Sequence, residues 1–187
     1  MAEVTRLWLV RHGPTHAKRM IGWTDLPADL TDTAALDRLR AVLPEAPVIS
    51  SDLVRATATA DAIAEARPRL PHDPDLREFH YGAWEDQAFD EIDSPALRRY
   101  FDEPGPHRAP GGESWNDVAA RVGRALARHA QGPDLIVVAH MGVILTQWAR
   151  ATGLKPFDAL AQKIDNLSLT RIDLHQGAMV PVSANRL

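Results

Sequence analysis

The spacing of apolar residues changes from segment to segment, and those changes predict an alternation of short strands and longer helices. Val4 to Val10 is rich in β-branched and aromatic residues and is stopped by Gly13 and Pro14, which predicts a buried strand. Leu36, Leu39 and Leu43 recur at helical spacing from Thr33 onward, until Pro44 closes the run. Pro47 to Ser50 reads as a second short strand. Leu53 to Ala66, alanine-rich and stopping before Pro68, reads as a second helix. Pro71 to Pro74 is expected to form a turn or a brief strand, and Leu76 to Trp84 follows no clean period. Phe89 to Phe101 looks helical but contains Pro95, where a kink or break is expected. Pro104 to Gly112 is a proline- and glycine-rich loop. Ser114 with Asp117 resembles a capping box opening a helix that runs to about Gln131. Leu135 to Ala139 is the most apolar strand candidate, Gly142 to Thr152 a further helix, and Ser168 to Leu174 a late alternating strand.

Strands alternating with helices predict an α/β fold: a three-layer α/β/α sandwich around a mostly parallel sheet. The linkers are short and no boundary divides the chain. The expectation is therefore one domain over residues 1–187, with 76–112 as an insertion over one end of the sheet. Ligands of open α/β sheets sit beyond the carboxyl ends of the strands. Arg11 and His12, the segment from Ser51 to Arg55, and His140 all fall at such ends.

Composition narrows the function more than the fold. Apolar residues make up 45% and charged residues 25%, as in an ordinary globular protein. A formal net charge of −4 argues against a general nucleic-acid or membrane-surface role, yet leaves room for a small anion in a locally basic pocket. The absence of cysteine removes disulfides, thiolate metal sites and cysteine nucleophiles. No window approaches the roughly 18 apolar residues that span a bilayer, and no signal-like core is visible, so a cytoplasmic location is expected.

The candidate chemistry begins with Arg11-His12-Gly13. A guanidinium offers a planar fork to phosphate oxygens, an imidazole with one free nitrogen can attack phosphorus, and glycine lets backbone N–H groups approach an anion. Taken alone, the same tripeptide reads first as a surface Arg-His pair in a turn. Arg55, in the first turn of a predicted helix, adds a fixed charge where anions are favoured; the alternative is an exposed arginine behind Asp52 as N-cap. His140 ends the most apolar strand. It can be a hydrogen-bonded strand-end residue, or a cation that offsets charge on a transferring phosphoryl group. Glu78 lies among aromatic residues, which can raise its pKa and make it a proton donor; it can also simply pair with an arginine.

Together these segments resemble the histidine phosphatase (phosphoglycerate-mutase-like) superfamily, in order and over nearly the whole chain. The resemblance is carried by Arg11-His12-Gly13-x-Thr15, Gly22 to Pro27 with Leu30-Thr31, Ser50 to Ala60, Leu76-Arg77-Glu78 with Tyr81-Gly82-x-Trp84-Glu85, Pro110 to Ser114, and Val137 to Val143. It implies that His12 is a nucleophile that becomes phosphohistidine, with Arg11, Arg55 and His140 around the phosphate and a backbone N–H available at Met141. Glu78 would protonate the leaving oxygen and then activate water. Thr15, Gly22 and Trp23 would contact substrate, and Lys18 would either contact the substrate phosphate or point to solvent. No metal or other cofactor is implied, because the arginines and histidine supply the positive charge, and none of the eight histidines has a zinc-like spacing.

The chain departs from the family pattern at Pro14, where Glu or Gln is frequent, at Lys18, where an asparagine is common, and at Met141, where glycine is common. The expected activity is metal-independent hydrolysis of a small phosphomonoester. Phosphoglycerate mutase is the alternative, disfavoured because the middle insertion is short. A catalytically silent phosphate-binding module is a third reading. Among phosphatases, α-ribazole phosphatase is one specific form of the activity. Trp23, Phe79, Tyr81 and Trp84 are candidates for an apolar leaving-group pocket, with burial in the core as the alternative. Oligomeric state is open.

Overall fold

The computed structural model describes residues 4–187. Its elements run β1 (Val4–Arg11), α1 (Thr33–Val42), β2 (Val48–Ser50), α2 (Val54–Ala64), α3 (Pro95–Asp102), α4 (Trp115–His129), β3 (Asp134–Ala139), α5 (Met141–Thr152), α6 (Pro156–Ala159), β4 (Leu169–His175) and β5 (Ala178–Arg186), with single 3-10 turns at Pro74–Leu76 and Gly82–Trp84. The five strands form one sheet in the order β2-β3-β1-β4-β5. β1 and β2 pair with β3 in parallel, whereas β4 runs antiparallel to both β1 and β5. Four strands therefore point one way and β4 alone points back.

Each face of the sheet is covered because its strands carry apolar residues on both sides. On one face Leu7, Leu9, Leu135 and Val137 pack with Val118 and Val122 of α4 and with Ile144 and Leu145 of α5. On the other, Val10, Ile136 and Val138 pack with Leu36 and Leu39 of α1 and with Ala56, Ala60 and Ile63 of α2. This is the three-layer α/β/α sandwich expected from the sequence. No helix among the described residues is long and apolar enough to cross a membrane.

Three expectations about elements change. Pro95 neither kinks nor breaks a helix. It occupies the first turn of α3, where its missing N–H costs nothing, and Ser94 caps that helix by accepting from Leu97 N. The segment from Phe89 to Asp93 is turn. Asp52 does not cap α2: Leu53 holds the N-cap position, Asp25 accepts from the Val54 N–H at 2.7 Å, and Asp52 is paired with Arg77. β5 and the short α6 were not expected at all. The capping box at Ser114 and Asp117 is present as read.

Register explains why chemistry collects at one end. Arg11 lies opposite Ala139 and Ser50 opposite Val138, so β1, β2 and β3 finish nearly level. His12 N donates to Ala139 O at 3.0 Å and Ser51 N to Val138 O at 3.1 Å. His12 and His140 thus leave neighbouring strands side by side.

Candidate active site

The two imidazole rings have centroids 5.0 Å apart, and both histidines are buried. His12 Nδ1 lies 2.6 Å from Gly13 O. A carbonyl can only accept, so Nδ1 carries the proton and Nε2 keeps its lone pair. Burial lowers the His12 pKa to about 3, with Arg55 and Arg11 pushing the same way, so the ring is neutral near pH 7. His140 is depressed too, first by burial and then by His12, Arg55, Arg121 and Arg11. His140, expected as a cation, is therefore held toward its neutral form by its surroundings. Neither of its ring nitrogens has a hydrogen-bond partner among the described residues. Buried imidazole nitrogens are seldom left so, and a ligand oxygen would satisfy one of them.

Arg11 and Arg55 bring the fixed charge. Arg11 Nη1 donates to Ile164 O at 2.6 Å, while its Nε has no partner among the described residues. Arg55 is 1% exposed, although it sits in the first turn of α2. Its guanidinium is oriented by two carbonyls, donating to Thr24 O at 2.9 Å and Gly22 O at 2.6 Å. A side chain could not be added at position 22, because a Cβ there would lie 2.0 Å from Phe79 O. Glycine is therefore required for this loop to pass under the segment bearing Glu78.

Glu78 is buried, and burial raises its pKa against the opposing effects of Gly142 N–H, Phe79 N–H, Arg55 and Arg11. Its oxygens accept from Gly142 N at 3.1 Å and Phe79 N at 3.0 Å. The first of these donors belongs to the opening turn of α5, where unpaired amides favour negative charge. Burial pushes the carboxyl toward its neutral form and the arginines toward its ionised form, so the same group is placed to give and to take a proton.

A cavity of about 240 Å³ gathers most of these groups: Arg11, His12, Thr15, Arg55, Glu78 and Met141 all line it. Four other sequence candidates stand apart from its lining, among them His140, which is fully buried with its ring against that of His12. Lys18 is exposed, Gly22 serves through its backbone, and Trp23 is turned away. The Trp23 indole N–H donates to Glu78 O at 2.8 Å while its ring carries the Arg77 guanidinium at 4.7 Å. Phe79 and Trp84 belong to the core; Tyr81 does reach the cavity, together with Phe89 and Phe101. Two larger clefts, about 400 and 510 Å³, both border Gln131 and Gly132 and include no candidate residue. Converging chemistry, rather than size, selects the smaller cavity.

Supporting residues were less visible in the sequence. Glu85 accepts from the backbone N–H groups of Gly22, Trp23, Thr24 and Tyr81 and from the Thr24 hydroxyl. Arg121 of α4 donates to the carbonyls of Asp75, Arg77 and Glu78, and is itself held by Glu113 at 2.7 and 2.9 Å. Arg121 could have been noticed as a lone charge in the buried stripe Trp115, Val118, Val122 and Ala125. Among the described residues, no group of three His, Cys, Asp or Glu side chains is arranged to hold a metal ion.

Comparison with known proteins finds relatives along most of the chain. The chain is 30% identical over 184 residues to a probable phosphoglycerate mutase, GpmB, of Serratia proteamaculans, covering 91% of this chain and 86% of the relative. It is 34% identical over 171 residues to a metal-independent phosphoserine phosphatase of Arabidopsis thaliana, covering 81% and 70%. Among solved structures, YhfR of Bacillus stearothermophilus superposes with a TM-score of 0.85 at 28% identity, covering 98% of both chains. The family model of the histidine phosphatase superfamily, branch 1, matches residues 7–186, and the chain belongs to that superfamily.

Proposed function

We propose that the protein hydrolyses small phosphomonoesters through a phosphohistidine formed on His12, without a metal ion. The observation that carries this reading is the bond from His12 Nδ1 to the Gly13 carbonyl, which leaves Nε2 unprotonated in a cavity lined by Arg11 and Arg55. Nε2 attacks phosphorus while the bond to the leaving oxygen breaks, and the Glu78 carboxyl gives that oxygen its proton. Glu78, now a carboxylate, takes a proton from water as the water oxygen attacks phosphorus. The P–N bond breaks, and neutral His12 and inorganic phosphate result. Phosphoryl transfer asks mainly for positioning and charge stabilisation, and the arginines with the α5 N-terminus supply both. His140, beside His12 and without a hydrogen-bond partner among the described residues, donates to a phosphoryl oxygen once the substrate's charge favours its protonated form. In this reading the chain works as one domain, with residues 76–112 folded over the pocket.

Likeness to a probable phosphoglycerate mutase makes mutase activity the second reading, since the phosphohistidine step is common to both. Hydrolysis of p-nitrophenyl phosphate with EDTA present, in the natural protein and in His12→Ala, tests the first. Activity that survives EDTA and is lost in the variant is expected. Activity retained by His12→Ala would remove His12 as nucleophile. Interconversion of phosphoglycerates without phosphate release would favour the mutase.

A further inference from the structure

We propose that the leaving group of the natural substrate is apolar and carries a ring, seated against Phe89, Phe101 and Met141. This deepens the phosphohistidine reading above and rests on it. The floor of the cavity is polar, but its rim is not. Phe89 is 53% and Met141 40% exposed, and both line the cavity beside Tyr81 and Phe101. Large apolar side chains left open to water around a binding pocket mark a surface that an apolar partner covers.

The apolar rim also continues inward. Tyr81, Phe101 and Met141 line a second, narrower hollow of about 60 Å³, whose other walls include Trp115, Leu145 and Leu160. Three side chains are thus shared between the phosphate cavity and an apolar recess. A phosphate seated at His12 leaves its ester substituent facing aromatic and thioether groups, and aromatic rings pair favourably with both.

The charges at the rim point the same way. Apart from Arg11 and Arg55, which the phosphate engages, the cationic side chain lining the cavity is Arg19. It is met by Asp86 at 3.3 Å and Glu91 at 3.8 Å. Lys18 does not line the cavity, and His16 is bound to Asp29 at 2.8 Å. A carboxylate on the leaving group would thus meet an arginine already flanked by two acidic residues. Substrates such as phosphoserine or phosphoglycerate are poorly matched, and a ring is well matched.

The test compares benzyl phosphate with phosphoserine and 3-phosphoglycerate, all esters of alcohols, so that leaving-group acidity does not decide the outcome. We expect kcat/KM for benzyl phosphate to exceed the other two by about tenfold, the scale of burying part of a ring. Phe89→Ala and Met141→Ala, both at exposed positions, should each reduce that preference about threefold or more. Equal or reversed preference, with phosphohistidine still trapped on His12, overturns the apolar leaving group and leaves the phosphatase reading standing. So does a preference that neither substitution moves. No turnover of any of the three and no phosphohistidine overturns the phosphatase reading, and this inference with it.

Discussion

Glu85 and Arg55 hold opposite sides of one loop. The Glu85 carboxylate accepts from the N–H groups of Gly22, Trp23 and Thr24, and the Arg55 guanidinium donates to the carbonyls of Gly22 and Thr24. The loop is thus a spacer that transmits the position of one charged group to the other. The Glu85 carboxylate keeps a lowered pKa although burial opposes it, because Thr24, Trp23 and Tyr81 all donate to it.

Removing Glu85 should therefore injure phosphate binding from a distance. Glu85→Ala leaves several amides without an acceptor, costing about 2 kcal/mol of stability, and lets the loop release Arg55. We expect kcat/KM to fall roughly 10- to 100-fold, with weaker inhibition by inorganic phosphate. Unchanged phosphate inhibition would separate the loop from the placement of Arg55.

Arg55 itself is the direct comparison. Arg55→Lys keeps the charge but can neither reach two carbonyls in one plane nor present a fork to phosphate. A drop of about 100-fold in kcat/KM is expected. Near-normal rates in this variant would show that its planar geometry is not used.

Gly142→Ala sets two effects against each other. Alanine is favoured over glycine inside a helix by about 1 kcal/mol. However, a Cβ at position 142 would lie 2.4 Å from Glu78 Oε1 and 2.5 Å from the Phe79 ring. With the glycine inside a packed wall, overpacking should outweigh propensity, for a net loss of about 1–2 kcal/mol. Displacement of Glu78 should also lower kcat and flatten its pH dependence. A thermal melt at or above that of the natural protein would show that the wall yields.

Much of this layout was legible because Leu7 to Val10 and Leu135 to Ala139 are continuous apolar runs, and because Arg11, His12 and His140 stand where those runs stop. β5 was not legible for the opposite reason. It is an edge strand, contains Pro181, and has no residue in the buried core, so Ala178 to Arg186 lacks the alternation that identifies a half-buried strand. Pro95 was misread because a proline inside a helical pattern breaks a helix or begins one according to where the helix starts, and Ser94 decides that here. The roles of Glu85 and Arg121 depend on contacts to Gly22, 63 residues away, and to Glu78, 43 residues away. No local pattern encodes such pairings; both residues could be seen, but not what they hold.

The depressed His12 pKa makes a prediction about stability that needs no substrate. In the folded protein the ring takes a proton at about pH 3, whereas in the unfolded chain it does so near 6.5. Between those values the unfolded chain binds the extra proton, so His12 lowers stability progressively as pH falls below 6.5. At pH 5 the difference is about 2 kcal/mol. Glu78 acts in the opposite direction: its raised pKa makes the folded state the better proton acceptor from the ordinary carboxyl range up to that raised value, so its contribution grows as pH falls. A comparison between proteins isolates His12. Urea unfolding at pH 7 and pH 5 should show a larger loss in the natural protein than in His12→Ala, by about 2 kcal/mol. Equal losses would mean that His12 ionises in the folded state as freely as in the unfolded chain, and that burial does not depress its pKa.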